Sequence, residues 1–395
     1  MAERTTVPAS EAEAVDLIRE HAARAMPLRI LGGGTRKAGR ASGPATLLST
    51  AGLSGITLFE PAEMVLSAKA GTPMAEIEAA LDAKGQMLPF EPMDHRRLLG
   101  TGGEPTIGGV AAGNICGPRR FKAGGARDSL IGLRFINGAG EVIRSGGRVM
   151  KNVTGLDLVK LQAGACGTLG LLSEVTFKLL PTPETSASLV IEGLGDEAAV
   201  ALLCKAAGSP FEMTGAAHLP AGAGSATART VLRVEGFADQ VTYRLERLAA
   251  LCESPALRLD ARDSLALWRD IRDGVVLDAA PGDAVWRVSI APNRAPKLAA
   301  RLRGARRFTH IYDWCGGLML LATPEEGDAG AEVLRAAVAA EGGGHATLLR
   351  GSEALRARID VFQPLTPGLE RLTRAVKASI DPKGLFNPGL MYPGL

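Results

Sequence analysis

Hydrophobic and polar residues in the first quarter of the chain follow the spacing of a helix, several strands and a second helix. A capping box at Ser10 and Glu13 precedes apolar residues at every third or fourth position over residues 14–22, which predicts an amphipathic helix. Short apolar runs predict strands at 27–31, 56–59 and 64–68. A second helix is predicted over residues 73–84, because proline opens it and Gly85 is a typical stop.

A strand pair is the clearest pattern between positions 130 and 183. Apolar runs at 130–136 and 141–145 flank the dipeptide Asn137-Gly138, which is the strongest short signal for a hairpin. A short helix and a long strand are predicted at 156–161 and 171–180. Two prolines, at positions 181 and 183, end this unit, since proline cannot donate a hydrogen bond to a strand ladder.

The pattern changes after residue 183. Strand-like runs alternate there with amphipathic helices, which predicts an α+β unit with an antiparallel sheet over residues 184–355. The predicted strands of this unit are 188–192, 231–234, 284–290, 308–313 and 318–322. Its predicted helices are 198–207, 240–251 and 330–340. A last helix is predicted at 367–379, within a C-terminal segment that spans residues 356–395.

Glycine is abundant, and its distribution points to a ligand. The chain has 49 glycines, and the first 183 residues contain three clusters, at 32–35, 100–117 and 164–170. Closely spaced glycines let backbone N–H groups converge on phosphate oxygens, although each cluster alone could be a set of tight turns. Lys37 stands where a nicotinamide-type G-x-G-x-x-G motif needs glycine, and no P-loop motif is present. A ligand with a long pyrophosphate, such as FAD, would use several loops at once.

Charge and cysteine content exclude several other classes of protein. Lys+Arg is 45 and Asp+Glu is 42, so the net charge of +3 does not favour binding to nucleic acid or anionic lipid. The five cysteines form no C-x-x-C pair, which excludes a local zinc ribbon or ferredoxin-type cluster. The N-terminus lacks the pattern of a signal peptide, and no apolar run approaches the roughly 20 residues of a spanning helix. We therefore expect a cytoplasmic protein, at most peripheral on the inner face of the membrane through partners.

Four motifs stand out around the glycine clusters and near the C-terminus. They are Pro27-Leu-Arg-Ile-Leu-Gly-Gly-Gly-Thr35, Thr106-Ile-Gly-Gly-Val-Ala-Ala-Gly-Asn114, Lys151-Asn-Val-Thr-Gly-Leu-Asp-Leu-Val-Lys-Leu161 with Gly164-x-x-Gly-Thr-Leu-Gly170, and Asp381-Pro-x-x-x-Phe-Asn-Pro-Gly389. Together they resemble the FAD-linked oxidases of the vanillyl-alcohol oxidase/p-cresol methylhydroxylase (PCMH) type. The resemblance implies a PCMH-type FAD-binding domain at 1–183, with subdomains of about 1–50 and 51–183. It also implies a cap domain at 184–355 and a C-terminal segment that returns to the FAD domain.

The same resemblance implies which residues contact FAD. The first loop would wrap the pyrophosphate, the second would lie along the ribityl chain, the third would close the adenosine side, and Asn387 would reach the isoalloxazine or form a simple turn before Pro388. The implied cofactor-binding residues are Leu31, Gly32, Gly33, Gly34, Thr35, Arg36, Gly103, Thr106, Ile107, Gly109, Asn114, Gly117, Asp128, Gly164, Gly167, Thr168, Gly170, Leu172 and Asn387.

Two departures from the family pattern shape the functional hypothesis. The first loop has no histidine that could bond to the flavin, so FAD should be non-covalent. The second domain lacks the histidine-rich metal and base motifs of self-sufficient 2-hydroxyacid dehydrogenases, which leaves no metal site and no assigned catalytic residue. Cys166 could be redox-active, but it is interpreted as a small buried residue.

The likeness is strongest to the FAD-binding subunits of glycolate oxidases, which implies a heteromeric complex oxidising glycolate or another D-2-hydroxyacid. The implied partners are a catalytic flavin subunit, which could hold the substrate, and an iron–sulfur subunit. One alternative is a stand-alone FAD dehydrogenase that uses His310, His345 or a tyrosine as base. Another is a scaffold subunit that has lost FAD.

Overall fold

The computed structural model describes residues 5–37, 39–40, 43–147, 155–252 and 254–395. A small parallel sheet opens the fold, with its strands in the order Thr5–Thr6, Thr46–Ser49 and Leu28–Leu31. The helix Glu11–Arg24 packs its apolar stripe on this sheet. Its start is capped as predicted, since the Ser10 hydroxyl accepts from Glu13 N–H at 3.2 Å and the Glu13 carboxylate accepts from Ala9 N–H at 2.9 Å.

A five-stranded antiparallel sheet follows. Its strands lie in the order Ile56–Glu60, Val65–Lys69, Leu171–Lys178, Leu130–Ile136 and Val142–Gly146. The predicted hairpin is therefore confirmed, although its loop is longer than Asn137-Gly138: the Asn137 side chain accepts from Ala139 and Glu141 N–H groups. The helix Met74–Asp82 covers the sheet. Shorter helices are Pro61–Glu63 (3-10), Arg96–Leu99, Ile107–Ala112, Arg120–Ala123, Ala126–Ser129 and Leu158–Gln162.

The third sheet has eight strands, all antiparallel to their neighbours. Their spatial order is Ala256–Leu259, Thr185–Glu192, Arg229–Gly236, Gly215–Leu219, Thr309–Asp313, Leu318–Pro324, Asp283–Ile290 and Gly344–Arg350. Its helices are Asp196–Ala207, Ala238–Ala249, Ala261–Arg272, Ala295–Arg303 and Ala331–Ala340, with 3-10 turns at Val275–Leu277, Pro292–Arg294 and Trp314–Gly316. One face of the sheet packs on residues such as Met93 and Leu98 of the preceding unit, so we call it the inner face.

The predicted α+β class is confirmed, but some elements of residues 184–355 were not predicted. We call the eight-stranded sheet of these residues, with its helices, the cap unit. Every predicted strand and helix of residues 184–355 is present, with ends displaced by a few residues. Three strands and two helices were not predicted: Gly215–Leu219, Ala256–Leu259, Gly344–Arg350, Ala261–Arg272 and Ala295–Arg303. The strand Gly215–Leu219 is buried on both faces, so it has no alternation of polar and apolar residues to reveal it.

The C-terminal segment pairs with the strand Leu28–Leu31. After the helices Glu353–Arg358 and Pro367–Ile380, the backbone N–H of Leu28 donates to Leu385 and that of Asn387 donates to Leu28, both at 2.9 Å. Pro181 was predicted to end strand pairing in the first unit. The structure differs slightly, because Leu180–Pro181 pairs with Gln86–Met87 as a two-stranded ladder. Within the described ranges, no helix is both long and apolar enough to cross a bilayer.

Candidate functional site

A cavity of about 600 Å³ lies where three loops of the first two sheets meet the C-terminal segment. Its walls come from the residues after strand Leu28–Leu31, from the helix Ile107–Ala112, from the turn at Cys166-Gly167 and from Ser352 to Arg356. Cofactor sites typically have volumes of roughly 300–1,000 Å³, so this cavity has the size of one.

Backbone packed against backbone forms one wall of the cavity. A Cβ on Gly33 would lie 1.5 Å from the carbonyl oxygen of Glu104, and a Cβ on Gly103 would lie 1.9 Å from that of Gly33. Contacts this close exclude any side chain at either position. Gly34 has a left-handed φ of 71°, which glycine adopts without strain. These glycines leave the backbone of the first loop bare toward the cavity, as close approach of a phosphate chain requires.

The second loop adds a capped helix start. The Thr106 hydroxyl accepts from Gly109 N–H at 3.2 Å, and a Cβ on Gly32 would lie 2.8 Å from the same hydroxyl. The guanidinium of Arg36 donates to the Gly109 carbonyl and lies against Gly113. The first and second loops are therefore joined across the cavity by short polar contacts.

The cavity is strongly basic. Its lining contains five basic side chains: Arg29, Arg36, Lys37, Arg40 and Arg356. Among the described lining residues, Glu353 carries the one carboxylate. Burial lowers the pKa of Arg36, and burial likewise lowers the pKa of Arg356 to about 10. Arg40 is already paired with Asp360 at 3.2 Å. A dianionic pyrophosphate would offset the charge of Arg36 and Arg356, so both the backbone and the side chains of the cavity fit FAD.

Asn387 connects the strand Leu28–Leu31 to the third loop. Its side-chain oxygen accepts from Ile30 N–H at 2.9 Å, and its side-chain nitrogen donates to the Cys166 carbonyl at 2.9 Å. Lys377 holds the same region together, because its ammonium donates to the carbonyl oxygens of Thr168 and Phe386 and to the Asp381 carboxylate at 2.6–2.8 Å. Asn387 thus lines the cavity while the oxygen and the nitrogen of its side-chain amide are both hydrogen-bonded within the protein.

Not every residue implied by the family resemblance reaches the cavity. Those that line it are Leu31, Gly32, Gly33, Gly34, Thr35, Arg36, Thr106, Gly109, Gly167, Gly170, Leu172 and Asn387. Those that do not line it are Gly103, Ile107, Asn114, Gly117, Asp128, Gly164 and Thr168. Residues 151–154, which begin the third motif, lie outside the described residues.

Several of the residues that do not line the cavity have clear structural roles. The Asp128 carboxylate accepts from Gly125 N–H at 2.7 Å, and the Asn114 side chain accepts from Arg127 N–H at 2.9 Å. Gly117 accepts from the Trp314 indole at 3.0 Å, which joins the second loop to the cap unit. These residues shape the loops whose neighbours form the cavity.

His95 also lines the cavity, although no motif of the sequence marks it as a site residue. Its Nδ1 lies 3.1 Å from the Met93 carbonyl, to which it donates, while Nε2 has no hydrogen-bond partner among the described residues. Burial, followed by the positive charge of Arg36, lowers the pKa of His95 to about 3. His95 is therefore a neutral hydrogen-bond acceptor in the cavity wall.

Two of the side chains that the sequence suggests as reactive groups, His310 and Cys166, lie in unreactive surroundings. His310 is buried on the outer face of the cap sheet, where its Nε2 lies 3.0 Å from the Tyr312 hydroxyl and 3.3 Å from Asp196. Cys166 lines the cavity, but burial raises the pKa of its thiol and keeps it protonated. His345 lies exposed on the edge strand of the cap sheet.

Comparison with known proteins agrees with this geometry. A family model described as an FAD binding domain matches residues 2–146. The glycolate oxidase subunit GlcE of Escherichia coli (strain K12) is 34% identical over 341 residues, which are 86% of this chain and 85% of that protein. The chain belongs to the GlcE family. The glycolate oxidase subunit GlcD of Bacillus subtilis (strain 168) is also related to this GlcE-family chain, at 28% identity over 79% of it and 72% of GlcD.

Solved structures show the same fold. p-Cresol methylhydroxylase with bound substrate superposes with a TM-score of 0.76 at 12% identity, over 98% of the GlcE-family chain and 88% of the other. 4-Ethylphenol oxidase from Gulosibacter chungangensis gives a TM-score of 0.72 at 14% identity, over 98% and 89%. The PCMH-type fold is thereby confirmed, and FAD is the cofactor of this GlcE-family chain.

Proposed function

We propose that this chain is a non-covalent FAD-binding subunit of a complex that oxidises glycolate, or another D-2-hydroxyacid, to the 2-oxo acid. The observation that carries the proposal is the basic, glycine-walled cavity in a chain similar to GlcE along most of its length. FAD would supply the two-electron acceptor. The cavity-lining residues of the first loop, with Thr106, Gly109, Gly167, Gly170 and Leu172, would hold it.

Domain roles follow from this assignment. Residues 1–183 and 356–395 would hold FAD together, because the C-terminal segment lies against the first sheet and contributes Arg356 and Asn387 to the cavity. Residues 184–355 would form the cap. A catalytic flavin subunit and an iron–sulfur subunit are the proposed partners, since the sequence offers no ligand pattern for a cluster.

The first experiment is an absorbance spectrum of the purified chain, followed by acid precipitation. We expect a yellow protein whose flavin is released entirely into the acid supernatant. Flavin that stays with the precipitate would contradict non-covalent binding. A colourless protein that cannot be reconstituted with FAD would overturn the cofactor assignment for this chain.

A glycine substitution tests whether the cavity is the FAD site. Gly33→Ala would force the first loop and Glu104 apart, so we expect at least a roughly tenfold weaker FAD affinity. Gly102→Ala is the matched control, because a Cβ there meets nothing within 4 Å and its φ is not left-handed. Equal flavin content in both variants would place FAD elsewhere.

The alternative is a dehydrogenase that needs no partner. One observation favours it: a neutral His95 lies in the cavity wall with a free acceptor nitrogen. Anaerobic glycolate added to the FAD-loaded chain distinguishes the two cases. Flavin that stays oxidised until the partner subunits are added supports the subunit; rapid bleaching and full turnover with a dye acceptor by the isolated chain support the stand-alone enzyme.

A further inference from the structure

Two arginines from different domains share one tryptophan ring. The guanidinium carbon of Arg120, beside the second loop, lies 5.0 Å from the ring centroid of Trp314. That of Arg287, on the cap strand Asp283–Ile290, lies 5.3 Å from the same centroid. Cation–π contacts of this kind orient a guanidinium but do not neutralise it.

Neither arginine is paired with a carboxylate anywhere in the described part of the chain. Arg120 donates to the Cys116 sulfur at 3.4 Å, and Arg287 makes no hydrogen bond with another described residue. Burial lowers the pKa of Arg287, and the nearby positive charge of Arg120 lowers it further. Two like charges on one aromatic ring without an acid beside them are unfavourable unless an anion binds them.

Their position connects them to the FAD cavity. After burial and Arg36, the charge of Arg287 also lowers the pKa of His95, which lines that cavity, while Asp94 acts in the opposite direction. Arg287 is partly exposed rather than sealed in the core. Met93, which lines the cavity beside His95, packs against the apolar cluster that contains Trp314. This packing puts the arginine pair near the His95 end of the cavity, at the boundary between the cap sheet and the second loop.

The backbone that presents Trp314 is unusual. Trp314 and the following Cys315 have left-handed φ values of 53° and 59°, a conformation that is rare for residues other than glycine. The Trp314 indole donates to the Gly117 carbonyl at 3.0 Å, which fixes the ring against the FAD-binding unit. Strained backbone that is locked by tertiary contacts occurs preferentially at functional sites.

We propose that Arg120 and Arg287 form a carboxylate-binding site for a small 2-hydroxyacid in this chain itself. The inference rests on the proposed function, because the acid is the substrate class assigned there. Each guanidinium has a planar set of donors that matches a carboxylate, and the bound anion would offset the charge of both. The site would put a substrate beside the FAD cavity of this subunit, whatever the partner subunit binds.

The test is a titration of the purified chain with oxalate, a small carboxylate that cannot be oxidised in the same way, and with uncharged oxamide. Isothermal calorimetry reports binding whether or not flavin is present, and flavin absorbance reports whether the ligand lies near the ring. We expect saturable oxalate binding and no oxamide binding. Flavin content, measured separately, decides the FAD proposal independently of this one.

Variants locate the site. Arg287→Met and Arg120→Met should each weaken oxalate binding by at least about tenfold, and Arg287→Lys should weaken it less, because it keeps the charge. Arg294→Met, which removes an exposed cation of the same domain, should have no effect. Circular dichroism must show that the variants fold. Absence of oxalate binding to the wild-type chain, or equal affinities in all four variants, would overturn the proposal.

Discussion

Two arginines on the inner face of the cap sheet have the same kind of aromatic contact but opposite electrostatic surroundings. Arg233 lies 4.8 Å from the ring centroid of Trp268, as Arg287 lies over Trp314. Arg233 makes two hydrogen bonds of 2.9 Å to the Glu91 carboxylate and also contacts Glu235. Arg287 has no carboxylate partner within the described ranges.

The difference separates an architectural charge from a functional one. Arg233 joins the cap to the loop of Glu91, so its positive charge is neutralised by a carboxylate of the protein itself. The charge of Arg287 is left available beside the cavity. A cation whose carboxylate partner is present helps to hold the domains together, whereas a cation without such a partner indicates a ligand.

The largest expected effect is the loss of the balanced arginine. Arg233→Met leaves Glu91 and Glu235 without their shared cation, so we expect the free energy of unfolding to fall by about 3–5 kcal/mol. Urea denaturation measures it. A loss below about 1 kcal/mol would mean that the network does not hold the two domains together.

The buried Asp313 gives a pH test of the same network. Burial raises its pKa to about 7, although the Trp314 N–H and Arg233 oppose this. The folded state therefore keeps a proton that the unfolded state loses above about pH 4, so the contribution to stability falls as pH rises from about 4 to about 7. The slope should approach 1.4 kcal/mol per pH unit and disappear in Asp313→Asn. Parallel urea titrations across this range would show no difference between the proteins if Asp313 is ionised throughout.

The outer face of the cap sheet provides a second balanced cluster with the opposite pH dependence. Hydrogen bonds from His218, His310 and Tyr312 hold the pKa of Asp196 below its usual range despite burial. Its contribution to stability is present above about pH 4 and is lost as pH falls further. Asp196→Asn should cost about 1–3 kcal/mol at neutral pH, with a smaller difference in acid. A constant difference at all pH values would contradict this cause.

The smallest expected effect on stability belongs to the unpaired arginine. Arg287→Met removes a charge that no carboxylate of the described residues offsets, so the free energy of unfolding should change by less than about 1 kcal/mol or rise slightly. The comparison with Arg233→Met in the same urea experiment is the sharpest form of the contrast. A large destabilisation by Arg287→Met would show that Arg287, too, has an architectural role.

The place of the first glycine loop in the cavity wall could be predicted from the sequence. Gly32, Gly33 and Gly34 were predicted to form a phosphate-binding loop, and the structure puts all three in the cavity wall. Their place in the wall could be predicted because bare backbone is a local property of glycine, while their binding of phosphate stays a prediction. For Asn114 and Asp128 the motif located the right loops, but their side chains hydrogen-bond to those loops and do not line the cavity.

The sequence by itself determined the α+β class, the glycine loops and the likeness to PCMH-type oxidases, because local spacing and residue type encode these features. Only the tertiary structure decided that Arg356 and His95 line the cavity and that Arg233 meets a glutamate 142 residues away. It also decided that Arg287 meets no glutamate in the part of the chain that the structure describes. The physical reason is that the electrostatic environment of a side chain depends on charges within several ångströms in space. Folding brings those charges together from distant parts of the chain.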